Sequence, residues 1–380
     1  MGLTVYTDEH QIFRESLRRF LEKEVVTYLD EWENQQFVPK EMWKKFGEHG
    51  FLCPWVDEKY GGAGVGFEYS VILIEEMAKI GFDMATSLHS DIVAPYIASN
   101  GTEKQKAEWL PKCVSGEMPL AIGMTEPNTG SDLANIQTTA KKSGNDYIIN
   151  GQKVFITNGI NCGMVIVACK TDTKADPPHK GISLIAVEED TPGFIKAKKL
   201  EKLGRNTSEV AELFFEDCRV PAGNLIGEEG KGFQYMMEKL QQERLIQIIR
   251  SQTDAETMLD MTIDYCQTRT AFGKPISKFQ HNKFKITEMA TEIELGRTLL
   301  DQLLEGHING IEDVKRVSMA KWWITEMANR VAYHCLQLHG GNGYMEEYPI
   351  ARRYRNVRMD TLAAGTTEIM KVIIAKQMKL

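Results

Sequence analysis

The chain has 380 residues, 42% of them hydrophobic and 26% charged, with a formal net charge of -8. That length exceeds what one core usually serves and predicts two or three domains. The acidic balance argues against a phosphate-backbone partner, which needs a basic surface, and no apolar run reaches the ~18 residues of a membrane span.

The opening stretch MGLTVYTDEHQIFRESLRRFLEKEV mixes acids and bases. It lacks the apolar segment of a secretory signal and is too acidic for a transit peptide. The expectation is a cytoplasmic protein, with the mitochondrial matrix as the alternative for a trimmed chain. Tyr6 breaks the myristoylation pattern that a Met-Gly start would open. Residues 1–118 read as an N-terminal helical domain: Ile12, Leu17, Phe20 and Leu21 recur at helical spacing, as do Val71, Ile72, Ile74, Met77 and Ala78. YGGAGVGF (60–67) holds glycines of a dinucleotide fingerprint, but it follows a helical segment and no βαβ unit surrounds it. It reads as a loop between helices. In SLHSDIVAPYI, Asp91 reads as a helix cap or a water-facing acid.

The style changes after Pro119, and residues 119–228 read as a middle β-domain. MTEPNTGSD (124–132) forms a tight polar loop, in which backbone N–H groups and the Thr125 and Ser131 hydroxyls could hold a polar ligand edge. An ordinary connecting turn has the same composition. DYIINGQKVFITNG reads as two β-rich runs divided by Asn150-Gly151, a hairpin dipeptide. GMVIVACKT, GISLIAVEED and AELFFEDCRV come next as strands.

Residues 229–380 return to helical periodicity. Met236, Leu240 and Glu243 share one stripe, where a carboxylate needs a partner or a task. The bland reading is a surface Glu paired with a Lys or Arg. In RTAFGKPISKFQ (269–280), Arg269 suits a pyrophosphate through its forked donors, or is a solvated charge beside a turn. In LHGGNGY (338–344), Gly340 and Gly341 read as a helix C-cap or as a close approach for a phosphate. Seven scattered cysteines without a CxxC pair argue against disulfide, zinc or other metal frameworks. Strands are grouped between helices, which excludes a doubly wound sheet.

Together and in this order, TEPNTGSD, KVFITNG, RTAFGKPISKFQ, QLHGGNGY and GTTEI resemble the acyl-CoA dehydrogenase family, over about residues 8–376. QQERL and VAYHCLQLHGGNGYMEEYPIAR look like its long-chain and branched-chain members. The resemblance implies a mostly α fold with a central β-domain: an N-terminal helical domain, a barrel-like middle domain and a C-terminal four-helix bundle. It implies FAD as cofactor, an acyl-CoA substrate, an electron-transfer flavoprotein as acceptor and a homotetramer. By the match, Thr125, Phe155 and Thr157 meet the flavin ring. Arg269, Phe272 and Gln280 hold its pyrophosphate side across a subunit boundary, Gln337, Gly340 and Gly341 meet the same cofactor, and Thr366 and Glu368 approach the adenine end. Ser131 and Arg244 contact CoA.

Many members carry their catalytic Glu immediately before the Gly-Thr of the last motif. Here that position is Ala364, with Gly365 after it. A second family solution places the base in an "ER" pair, matched by Glu243. A third acid, Asp91, sits where relatives bring a helix against the acyl pocket. A ring substrate with a double bond at its α-carbon has no α-proton; its acidic proton lies on the γ-carbon, so the base must move. Loss of Glu at 364 with gain of Asp at 91 fits cyclohex-1-ene-1-carboxyl-CoA oxidation with Asp91 as base. The alternative is α,β-dehydrogenation of a saturated straight-chain, branched-chain or cyclohexane acyl-CoA with Glu243 as base. An oxygen-using oxidase and a flavin-free CoA-binding scaffold are the remaining classes. The first is disfavoured by chain length and the second by the near-complete cofactor motifs.

Overall fold

The structure, a computed structural model, describes residues 6–380; the Met-Gly start lies outside them. Helices α1 (Asp8–Glu24), α2 (Leu29–Gln35), α3 (Glu41–Glu48), α4 (Phe67–Ile80), α5 (Ala94–Asn100) and α6 (Glu103–Val114) form the first layer. Leu17, Phe20 and Leu21 are buried on α1, whereas Ile12 faces outward. The α6 start is closed by a reciprocal cap: Thr102 Oγ1 accepts from Gln105 N, and Gln105 Oε1 accepts from Thr102 N. Residues 61–66 are a loop, as the glycines predict, running from a 3-10 turn (Glu58–Tyr60) into α4. Between α4 and α5 the chain makes a π-helical turn, Leu88–Val93, which sequence spacing does not announce.

Eight strands make the middle sheet: β1 (Leu120–Gly123), β2 (Thr139–Ser143), β3 (Asp146–Thr157), β4 (Met164–Lys170), β5 (Ile182–Glu188), β6 (Phe194–Lys199), β7 (Val210–Pro221) and β8 (Leu225–Ile226). Their order is β6-β7-β3-β2-β4-β5-β8, with β1 parallel to β4. The hairpin expected at Asn150-Gly151 is not formed. Strand β3 runs straight through the dipeptide, and the β2–β3 turn is at Gly144-Asn145, where Ser143 faces Asp146. The dipeptide is instead a bulge against β7. Asn150 is held by the distant Asp217, donating to its carboxylate at 3.0 Å and accepting from its N–H at 2.9 Å. Gly151 has φ 152°, and a Cβ there would lie 2.5 Å from Thr138 Oγ1. Gly151→Ala is therefore expected to destabilise the fold by about 1–3 kcal/mol, read as a lower denaturant midpoint.

The last layer holds α7 (Gly232–Thr268), the hairpin of β9 (Thr270–Ala271) and β10 (Lys274–Pro275), α8 (Gln280–Ile308), α9 (Val314–His339), α10 (Pro349–Asn356) and α11 (Thr367–Gln377). Helices α7, α8 and α11 all pack on α9. Separate apolar cores fill the helical N-terminal layer and the sheet, and a third spans all three regions. All seven cysteines are buried and free. No helix among the described residues is long and apolar enough to cross a membrane.

The three regions meet at a buried ionic junction. Arg205, from the loop before β7, pairs with Asp83 at 3.4 Å and with Asp360. Arg250 of α7 also binds Asp83, at 2.6 Å, and Ser251 Oγ donates to Asp360 at 2.7 Å. Arg353 closes the cluster on Asp254 at 2.8 Å.

Candidate active site

Glu243 projects from α7 into an apolar interior. It is buried, and the Tyr96 hydroxyl from α5 donates to its Oε1 at 3.3 Å. Burial raises its pKa to about 7, against the Tyr96 hydrogen bond and the nearby Arg244 charge. A surface ion pair is thus ruled out for Glu243. Arg244 is buried as well, and its Nε has no partner among the described residues.

Asp91 lies within the π-helical turn and is 3% exposed, so it neither caps a helix nor faces water. Ser70 Oγ donates to its Oδ1 at 2.6 Å. Burial raises its pKa to about 7, opposed by Ser70 and the Trp55 indole. The two acids are joined through neighbours on α7: Gln242 Nε2 donates to the Asp91 carbonyl at 2.6 Å, one residue before Glu243. A π turn inserts one residue into a helix and re-aims the side chains downstream of it, a device common at functional sites.

The segment carrying Ala364 leads into α11 and is tied to α9. Ala364 has φ 54° and Gly365 φ 92°. The Gly365 carbonyl accepts from Lys321 Nζ at 2.6 Å. Lys321 is fully buried; burial lowers its pKa to about 8, Asp360 opposes the shift and Arg244 adds to it. Lys321 therefore fastens the loop to α9. Thr366 caps α11 by accepting from Ile369 N at 3.4 Å, and Glu368 is exposed on the first turn.

A second cluster sits on the sheet. Val154 N donates to the Thr125 carbonyl at 3.0 Å, which sets Thr125 beside Phe155. Phe155 occupies a bulge between Lys153 and Ile156, with φ 59° and 67% exposure. Thr157 ends the strand, half-buried. The polar loop below is a closed turn: Glu126 and Thr129 exchange backbone hydrogen bonds at 2.9 and 3.0 Å. The Glu126 carboxylate accepts from Gln137 N, Thr138 N and the buried Lys153. Ser131 is exposed beyond it.

Two further sets face outward. Phe272 is 95% exposed at the tip of the β9–β10 hairpin, and Arg269 and Gln280 beside it have no side-chain hydrogen bond among the described residues. Gln337 is exposed near the end of α9. Gly340 has φ 59°, and a Cβ on Gly340 or Gly341 would meet nothing within 4 Å. Tyr265 of α7 donates to the His339 carbonyl and accepts from Asn342, which ties this turn to the helix end before Arg269. A cavity of about 520 Å³ lies elsewhere, lined by Arg14, Arg18, Glu75, Glu256 and Arg297. Its arginines are already paired with Glu75, Glu76 and Glu256, so it offers no catalytic arrangement.

The structure therefore ties the Asp91 backbone to Gln242, the neighbour of Glu243 and Arg244, anchors the Ala364-Gly365 loop on Lys321, and separately brings Thr125 and Thr157 beside Phe155. Sequence reading misses Tyr96, Ser70, Gln242 and Lys321. Tyr96 lies five residues after Asp91 in SLHSDIVAPYI, but its bond to Glu243 spans 147 residues.

Models of the acyl-CoA dehydrogenase N-terminal, middle and C-terminal domains match residues 7–117, 121–218 and 230–379. The chain is 46% identical over 377 residues to the mitochondrial long-chain specific acyl-CoA dehydrogenase of Rattus norvegicus, covering 98% of this chain and 87% of that one. It superposes on the crystal structure of acyl-CoA dehydrogenase from Geobacillus kaustophilus with a TM-score of 0.99 at 58% identity, over 100% of both chains. A glutaryl-CoA dehydrogenase from Mycobacterium smegmatis, solved in complex with FADH2, matches with a TM-score of 0.90 at 28% identity, covering 98% of this chain and 95% of that one. With three domain models matched along nearly its whole length, the chain belongs to the acyl-CoA dehydrogenase family of FAD-dependent flavoprotein oxidoreductases acting on CH–CH bonds.

Proposed function

We propose that the protein dehydrogenates a saturated acyl-CoA thioester between its α- and β-carbons, with Glu243 as the base. One observation carries this reading. Glu243 is a buried carboxyl that, among the described residues, has no cation in salt-bridge contact and is held by a phenol alone, one residue from Arg244, in a chain that carries Ala364 immediately before the Gly-Thr of its last motif. A base poised near pH 7 can take a proton from carbon next to a thioester. Tyr96 orients the carboxylate, burial keeps water from it, and Lys321 fixes the loop through Gly365. The rat relative's specificity for long-chain acyl-CoA supports an acyl-chain substrate.

FAD, when bound, supplies the hydride acceptor. The residues present fit it: an exposed aromatic beside two threonines, free arginine and glutamine side chains, and a diglycine with open space around it. Thr125, Phe155 and Thr157 would hold the ring. Arg269, Phe272 and Gln280 would hold the pyrophosphate side between subunits of a homotetramer, Gln337, Gly340 and Gly341 would meet the same cofactor, and Thr366 and Glu368 would approach the adenine end. Ser131 and Arg244 would meet CoA, and Ala364 and Gly365 would border the thioester. An electron-transfer flavoprotein is the proposed acceptor.

The buried Asp91 supports a second reading, in which it takes the γ-proton of cyclohex-1-ene-1-carboxyl-CoA and a hydride leaves the other carbon beside the α-centre. The purified flavoprotein, assayed with an artificial electron acceptor, decides between them. The expected products are 2-enoyl-CoA thioesters from straight- or branched-chain substrates. Oxidation of the cyclohexene thioester alone would transfer the assignment to Asp91.

A further inference from the structure

The turn of residues 158–162, directly after β3, is gripped from two sides. Glu209 Oε1 accepts from the backbone N–H groups of Ile160 and Asn161, each at 2.9 Å. Lys196 Nζ donates to the carbonyls of Ile160, at 3.1 Å, and of Cys162, and pairs with Glu189 at 3.0 Å. Asn158 adds a backbone bond to the Glu209 carbonyl and a side-chain bond to the Leu120 carbonyl, both at 2.9 Å. An anion thus holds the turn's donors and a cation holds its acceptors.

The arrangement restrains a strained neighbour. Phe155 and Asn158 have φ of 59° and 63°, a region unfavourable to any residue with a Cβ. They bracket Ile156 and Thr157, and Phe155 sits on the bulge where β3 slips against β7. Such backbone persists only where its surroundings over-determine it. Glu209 is itself an expensive device: its Oε2 is buried without a partner among the described residues. An apolar residue would pack there more cheaply, so the two backbone bonds are what its presence secures.

We propose that Glu209 and Lys196 are positioning residues, which clamp the turn and so hold the strained Phe155–Thr157 segment in the conformation that it presents to the flavin. This rests on the reading that Phe155 and Thr157 meet FAD. The test uses purified holoprotein carrying Phe155→Leu, Glu209→Leu, Glu209→Gln or Lys196→Met. The readouts are the visible absorbance envelope of the bound flavin, its midpoint potential and its retention on dilution. Glu209→Leu and Lys196→Met are expected to shift the envelope and weaken FAD retention, by roughly tenfold for Glu209→Leu. Glu209→Gln, whose amide oxygen still accepts both N–H groups, is expected to match the wild type. A changed Phe155→Leu protein with unchanged Lys196→Met and Glu209→Leu proteins overturns the clamp alone. Glu209→Gln as impaired as Glu209→Leu overturns the acceptor role. An unchanged Phe155→Leu protein overturns the underlying placement of the flavin. If Glu209→Leu does not fold, Lys196→Met and Glu209→Gln decide.

Discussion

Glu243→Gln is expected to lower turnover of a saturated acyl-CoA by roughly 10²- to 10⁴-fold, with the fold intact. The amide matches the carboxylate in size, and its oxygen can still accept from Tyr96. Only the capacity to take a proton is lost. As the proposed base, Glu243 must be ionised, and burial raises its pKa to about 7. The wild-type kcat/KM should therefore fall as pH drops below about 7 and level off above it, and the residual activity of the variant should lack that limb. Stability gives an independent check. A folded pKa raised above the unfolded value means that the fold favours the neutral acid. That stabilisation is full below the ordinary carboxylate value of 4.5 and is lost progressively as pH rises to about 7. A glutamine there never ionises, so the variant's melting temperature should gain on the wild type between about pH 4.5 and pH 7 and keep that gain above it. Asp91→Asn is expected to keep most activity on the same substrate. If it is inactive while Glu243→Gln turns over, the base is Asp91.

Arg205→Leu is expected to destabilise the protein by about 3–5 kcal/mol. Arg205 is buried between Asp83 and Asp360, and Asp360 is wholly buried. Without the guanidinium, Asp360 keeps, among the described residues, the Ser251 hydroxyl alone. An uncompensated buried charge is far costlier than the pair it came from. Adding Asp360→Asn to Arg205→Leu should then recover part of the loss, read as coupling in a double-mutant cycle of denaturant midpoints. A loss below about 1 kcal/mol, with no recovery, would reduce the junction to the worth of a surface ion pair.

The succession of helices, strands and helices is legible because each region carries its own periodicity. Val71 to Ala78 are buried all round their helix, and the apolar runs of β4 and β5 bury both faces of central strands. Elements made by partners distant in sequence are not legible. Asn150-Gly151 has hairpin chemistry, yet the pairing of Asn150 with Asp217 and the pocket under Thr138 keep the strand extended. The lysine-rich strands TAKKS and FIKAKK carry too little apolar alternation to stand out; the sheet holds them through backbone bonds. Glu243 is readable as an acid on an apolar stripe. Its phenol and the lysine beneath the Gly365 loop come from other helices and leave no local mark. Arg205 reads as an ordinary loop arginine until the fold brings three aspartates near it.

The π turn at Leu88–Val93 makes helical phase a variable of this pocket. Each residue of an α-helix advances the rotation by about 100°. Rewinding that turn to α geometry at constant length would swing everything downstream by about that angle, Tyr96 included. The hydroxyl that now touches Glu243 would then point elsewhere, with every side chain of the acid's own helix unchanged. The surroundings of Glu243 are thus set by how a helix of the N-terminal region is wound, and a residue lost from the turn as it rewinds would leave Tyr96 in place.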